Sequence, residues 1–362
     1  NSVDIGDLTV ARGQLAGFSN QVRAIQAGGE ASGQQNVIDF LTIANTGNAT
    51  DFGDLIDHTV DYLNGGANPT RGYVAGGNTP SKVNNIQFVT IMTTGNALDF
   101  GDLTVARRMA ETINTTTRGV IVGGETPSDT NVIDFITIPT TGNAQDFGDM
   151  TVSRAPGGNG ATSNQTRAIA VSGSSPSSDW TDTIDYVTIA STGNGVDFGN
   201  LTVASGGVQA TSSPTRGIFC GINIAPAYAY DNRIDYITMA TTGNATDFGG
   251  DMAWSGNGRS CSNGIRSVST SNTPSATTAL QSVFIASRGN FTNYGDLAST
   301  NNTGGSFATS DTIRGVFGIN APASSNIMEY ISMSTSGTAV DFGDLTQEIK
   351  NSGATSNAHG GL

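Results

Sequence analysis

Histidine and cysteine are almost missing from this chain. Its 362 residues include two of each: His58, His359, Cys220 and Cys261. Two cysteines do not make a disulfide framework, and neither has metal-ligand spacing to the other or to a histidine; they read as unpaired core residues. With His58 in an irregular stretch and His359 in the tail, a Ser/His/Asp triad has no support. Charge is scarce too, at 13% of residues, and long runs of the helix formers Glu, Lys, Leu and Ala are absent. The charge balance is 16 basic against 30 acidic residues, net −14, with no basic stripe. This excludes a nucleic-acid-binding surface and an anionic membrane as partners. No apolar run approaches the roughly 18 residues of a membrane-spanning helix, and no stretch reads as a signal peptide. Because the chain begins at Asn1, it is expected to be processed, trimmed or part of a longer array.

What is abundant is glycine, 48 residues, together with Thr, Asn and Ser, and above all a repeat. Asp146-Phe147-Gly148-Asp149 has counterparts beginning at Asp4, Asp51, Asp99, Asp197, Asp247, Asn293 and Asp341, spaced 46 to 51 residues apart. A fixed period of this size marks a solenoid, a propeller or an array. Within the third unit, 117–124 reads as a buried strand ended by Gly123-Gly124. Residues 131–138 form the next strand, Thr140-Thr141-Gly142-Asn143 a tight turn, and 145–152 an outer strand. A weaker inner strand precedes each arginine, as at 160–163 in the next unit. Four short strands per unit make one small antiparallel sheet that must stack on its neighbours to bury its faces.

The expected fold is therefore all-β, a seven-bladed β-propeller of four-stranded antiparallel blades. Residues 1–362 form a single domain, with units starting near 4, 51, 99, 146, 197, 247 and 293, and a surplus terminal segment at 341–362. The surplus strands are expected to close the ring with a segment to spare.

Two positions recur in register. Arg23, Arg71, Arg118, Arg167, Arg216, Arg266 and Arg314 open the second strand of each unit. Asp39, Asp134, Asp185, Asp235 and Glu329 occupy the third, with Gln87 and Ser282 in units two and six. From this acid to the next Asp-Phe-Gly-Asp is 12 residues, or 11 in unit six counted from Ser282. A residue repeated in every unit is scaffolding. The expected partnership is an ion pair between each arginine and an Asp, such as Arg118 with Asp134 or Asp102. Asp-Phe-Gly-Asp itself is expected to be a turn or bulge at a blade edge, since a calcium loop needs about six oxygen ligands. No metal site or cofactor is expected.

The order of arginine, apolar strand, Gly-Gly, aromatic strand, turn and aromatic strand resembles a kelch repeat. Phe135 and Phe147 stand where kelch units carry Tyr and Trp, but 12 apart, a wider interval than usual. The wording of segments such as 234–249 also resembles repeat tracts in structural proteins of marine, especially cyanobacterial, tailed bacteriophages. That resemblance implies a virion component: a fibre, a tail accessory or a capsid-surface protein.

Ligand specificity is expected where units differ. The loop between second and third strands is longest in units four and five, carrying Asp179, Trp180 and Asp182, and Tyr228, Tyr230 and Asp231. Flat aromatics beside carboxylates suit a sugar or a protein contact. The leading expectation is a non-enzymatic structural or adhesive protein of the virion or extracellular space. It would be oligomeric, with other virion or self subunits, or a cell-surface glycan or receptor, as partners. The alternative is a lectin-like carbohydrate-binding module using these two loops.

Overall fold

The computed structural model describes residues 9, 15–30, 33–45, 48–56, 64–156, 160–175, 180–224, 229–253, 258–270, 277–301, 307–318 and 325–349. These form seven four-stranded antiparallel blades in a ring, a seven-bladed β-propeller, with no helix among them. Blade 3 is representative: Glu111–Asn114 innermost, then Arg118–Val122, Val132–Thr137 and Gln145–Asp149 at the rim. The first and last blades, Ala16–Asp54 and Phe307–Ile349, each take four strands consecutive in sequence. No described blade mixes strands from the two ends of the chain. Among the described residues, side-chain bonds join the last blade to the first. The Arg314 Nη1 donates to the Ile43 carbonyl at 2.8 Å, and the Ser19 and Thr309 hydroxyls lie 3.4 Å apart. The surplus segments 4–8 and 353–360 lie outside the described residues.

Alternation within each strand aims apolar residues at both neighbouring blades, so the core is a series of interblade layers. Ile113, Val120, Val122, Ile133 and Phe147 of blade 3 pack against Ala168, Ala170, Val187 and Ile189 of blade 4. Cys220 and Cys261 sit in such layers as free, buried thiols.

Asp-Phe-Gly-Asp forms a bulge. Asp134 pairs with Asp146 and Ile133 with Gly148, leaving Phe147 as the extra residue. The Asp146 carboxylate accepts the Gly148 N–H at 2.9 Å, and the same bond recurs at Asp51, Asp99, Asp197, Asp247 and Asn293. Gly148 has φ 138°, and a Cβ there would lie 2.6 Å from the Gly193 carbonyl carbon in the next blade. Only glycine satisfies both conditions.

That close approach is a joint. The 191–194 turn of blade 4 docks on the rim strand of blade 3, with Gly193 N–H donating to the Phe147 carbonyl at 2.7 Å and Gly195 N–H to Asp149. The Asp149 N–H returns a bond to Asn194 Oδ1. Blade pairs 1–2, 2–3 and 4–5 repeat all three bonds. The two most recurrent phrases of the sequence, Asp-Phe-Gly-Asp and the Thr-Gly-Asn turn, are thus the two halves of one interblade contact.

Candidate functional site

The seven repeated arginines do not pair with the repeated acids. Arg118 lies over the Phe135 ring, 4.3 Å from its centroid, and its Nη1 donates to the Ile189 carbonyl of blade 4 at 2.6 Å. Phe147 meets the edge of Phe135 at 5.8 Å and 84°. Each of the other six arginines stacks on an aromatic ring of its own blade. Each also donates to a main-chain carbonyl of the next blade around the ring. The expected Arg118 pairing with Asp134 or Asp102 is therefore corrected. A planar cation inserted between an aromatic face and a carbonyl needs no carboxylate.

The acids face the other way round the ring. Asp134 is fully buried; its carboxylate accepts the Thr104 hydroxyl at 2.6 Å and the Thr104 N–H at 3.1 Å, from the segment leaving blade 2. Asp185 and Asp235 hold Thr151 and Thr202 in the same way, and Asp39 accepts the Thr9 hydroxyl. Glu329 accepts the backbone N–H groups of Ala298 and Ser299. In blade 6 the equivalent residue is Gln281, not Ser282: it pairs with Asn293 as Gln87 pairs with Asp99, and each amide oxygen accepts one N–H of the preceding segment. The 12-residue interval consequently holds in every blade. Ser282 occupies the aromatic position, and Phe284, two residues on, supplies the ring under Arg266.

Asp134 and Asp185 carry a second, interior partner. Arg107 lies 2.9 Å from Asp134 and Arg154 3.0 Å from Asp185, each pair sealed from solvent. Burial lowers both guanidinium pKa values, opposed by the adjoining carboxylate. In blade 5 the corresponding position is Ser205, and burial pushes the Asp235 carboxyl up, against its bonds from Thr202.

The predicted ligand residues divide. Trp180 is half-buried. Its ring covers Gly206 so closely that a Cβ there would lie 2.3 Å from it. Gly206 pairs with Asn223, and Asn223 with Tyr230, in a small sheet of Ser205–Gly206, Ile222–Ile224 and Ala229–Asp231. The structure thus brings the loops of units four and five together through the strand that joins their blades. Asp231 is engaged by Arg233 at 3.1 Å, and the main chain of Asp182 accepts the Leu201 N–H. Asp179 and Tyr228 lie outside the described residues, as do His58 and His359. One face of Trp180 serves packing, and the Asp231 carboxylate is already paired.

On the opposite face, Thr115–Arg118 with Gln165, Ile189 and Ala190 line an open cleft of about 600 Å³ between blades 3 and 4. Around the same face, the residue before each arginine is Thr in blades 2 to 5 but Ile265, Ile313 and Val22 in blades 6, 7 and 1, exposed by 65%, 69% and 44%. Phe284 adds a half-exposed ring beside them. Sequence reasoning missed this arc. Its signal is the replacement of Thr by branched apolar residues at one repeat position.

Among the described residues no group of three His, Cys, Asp or Glu side chains is placed to hold a metal, and no helix is long and apolar enough to cross a membrane. No protein-family model matches the chain, and no curated protein matches it significantly.

Proposed function

We propose that the protein is a non-enzymatic assembly or adhesion module, a rigid acidic ring that docks other subunits. The observation that carries this reading is the apolar arc of Val22, Ile265 and Ile313 on three successive blades. Three large aliphatic side chains standing in solvent on a rigid face mark an interaction surface. The recurrent arginines support the same reading, because each donates to the main chain of the next blade and so stiffens the ring. The kelch-like order of the repeat and its resemblance to phage structural proteins make a virion, or the extracellular space, the setting proposed for it.

The test is the mass and shape of the purified protein by light scattering and negative-stain imaging, beside an Ile265→Ser/Ile313→Ser variant. Expected are stacks, pairs or filaments that fall apart in the variant and strengthen with salt, which screens the −14 net charge. Single seven-lobed discs at all concentrations, combined with glycan binding lost in Trp180→Ala, would overturn the reading in favour of a lectin.

A further inference from the structure

The turn before each blade arginine supplies a further tie between blades. In blades 1, 2, 4 and 6 it begins with Asn20, Asn68, Asn164 and Asn263. The side-chain oxygen accepts the arginine N–H three residues on. The Nδ2 reaches into the next blade and donates to the carbonyl of Pro69, Thr116, Pro214 or Thr312, at 2.9–3.3 Å. One amide thus caps its own turn and fastens it to the neighbour. Blades 3, 5 and 7 have Thr115, Ser213 and Asp311 at this position. Each still accepts its arginine N–H but has no amide to span the joint.

Between blades 3 and 4 the missing tie coincides with the 600 Å³ cleft. Thr115 spends its hydroxyl inside its own turn, on the N–H groups of Thr117 and Arg118 at 3.4 and 3.0 Å. The carbonyl that an amide here would take belongs to Gln165, which lines the cleft from blade 4. Blades 2 and 5 have Pro69 and Pro214 at that place, whereas Gln165 brings an exposed side-chain amide. Thr116 and Thr117, both exposed, bring two hydroxyls. Arg118 stands among these groups with donors to spare. Its guanidinium lies over the Phe135 ring and makes one hydrogen bond to a described residue, from Nη1 to the Ile189 carbonyl. Among the described residues no carboxylate pairs with it, and no acid lines the cleft. In a chain of net charge −14, this cleft gathers hydroxyls, an amide and one guanidinium.

We propose that the cleft binds a sugar acid, whose carboxylate takes the remaining donors of Arg118 while its ring hydroxyls meet Thr116, Thr117 and the Gln165 amide. The volume falls within the roughly 300–1,000 Å³ of small-molecule sites. A planar carboxylate matches the parallel donors of a guanidinium. Hydroxyl and amide groups both donate and accept, as sugar hydroxyls require. A simple anion would leave the hydroxyls and the amide unused, and a neutral sugar would leave the guanidinium unused. The site belongs to blades 3 and 4 and the apolar arc to blades 6, 7 and 1, so it stands or falls independently of the assembly role.

The experiment is isothermal titration of the intact protein with glucuronate and galacturonate, beside glucose, acetate and glucose 6-phosphate. The expected result is that one sugar acid binds at least about tenfold more tightly than glucose or acetate. Thr115→Asn should rebuild the missing tie, as Asn68 does in blade 2, and so close the cleft. Its urea midpoint should be at or above the parent's, and its sugar-acid binding weaker by at least about tenfold. Gln165→Ala, on an exposed side chain, should weaken binding with the midpoint unchanged. Ile265→Ser/Ile313→Ser should leave binding as it is, whatever it does to assembly. Acetate binding as tightly as the best sugar acid, or glucose 6-phosphate binding more tightly, would overturn the assignment. So would binding that survives both Thr115→Asn and Gln165→Ala, or the absence of heat for every probe at millimolar concentration.

Discussion

Neutralising Asp134 should cost far more than neutralising Asp235, although the two occupy the same place in the repeat. Both carboxylates accept the hydroxyl and N–H of a threonine from the preceding segment. Only Asp134 also faces a sealed guanidinium, Arg107, at 2.9 Å. Asp134→Asn leaves that cation buried without its counter-charge, and breaking a buried pair in this way costs about 3–5 kcal/mol. Asp235→Asn keeps an oxygen for the Thr202 N–H and strands no buried cation, so its cost is about 1 kcal/mol or less. The assay is urea unfolding at pH 7, followed by circular dichroism. The acid range adds a check of sign. The Asp235 pKa is raised in the folded state, so its favourable contribution is present below the unfolded carboxylate value and disappears as pH rises through the folded one. Asp235→Asn should therefore gain on the parent protein across that rise. Equal costs for the two substitutions at pH 7 would refute the argument, since they would show that the Arg107 pair does not distinguish the sites.

Two further outcomes follow from burial and close approach. Gly142→Ala meets no atom within 4 Å and suffers only backbone strain at φ 150°, about 1–3 kcal/mol. Gly148→Ala adds a collision with the next blade's turn, so its urea midpoint should fall well below that of Gly142→Ala; equal midpoints would count against the joint. Burial pushes the Cys220 and Cys261 thiols up to about 12. A thiol reagent at pH 8 should label neither in the native ring and both after unfolding, and fast native labelling of either would contradict their placement.

Strand order, blade number and the bulge were legible because they are local. A turn of constant length fixes the register of the strands it joins, and the φ of Gly148 with its bond to the Asp two residues earlier is a local signal, although the close approach of the Gly193 turn is not. The sequence also marked Arg118 and Asp134 as structural, but paired Arg118 with Asp134 or Asp102. Proximity along the chain suggested that pairing, and the stacking of blades replaced it. Arg118 meets a carbonyl 71 residues onward and Asp134 a threonine 30 residues back. The same limit explains the loops of units four and five: their aromatics were visible, whereas the seating of the Trp180 ring on Gly206 depends on a strand from the connecting segment.

The sequence by itself determined the repeating blade, because hydrogen bonds between neighbouring strands and the alternation of apolar residues act within about 50 residues. Only the closed ring decided the rest. It gave Arg314 a carbonyl partner 271 residues earlier and separated the repeated cations from the repeated acids. Those contacts are fixed by rotation about the ring, and position along the chain carries no record of that rotation.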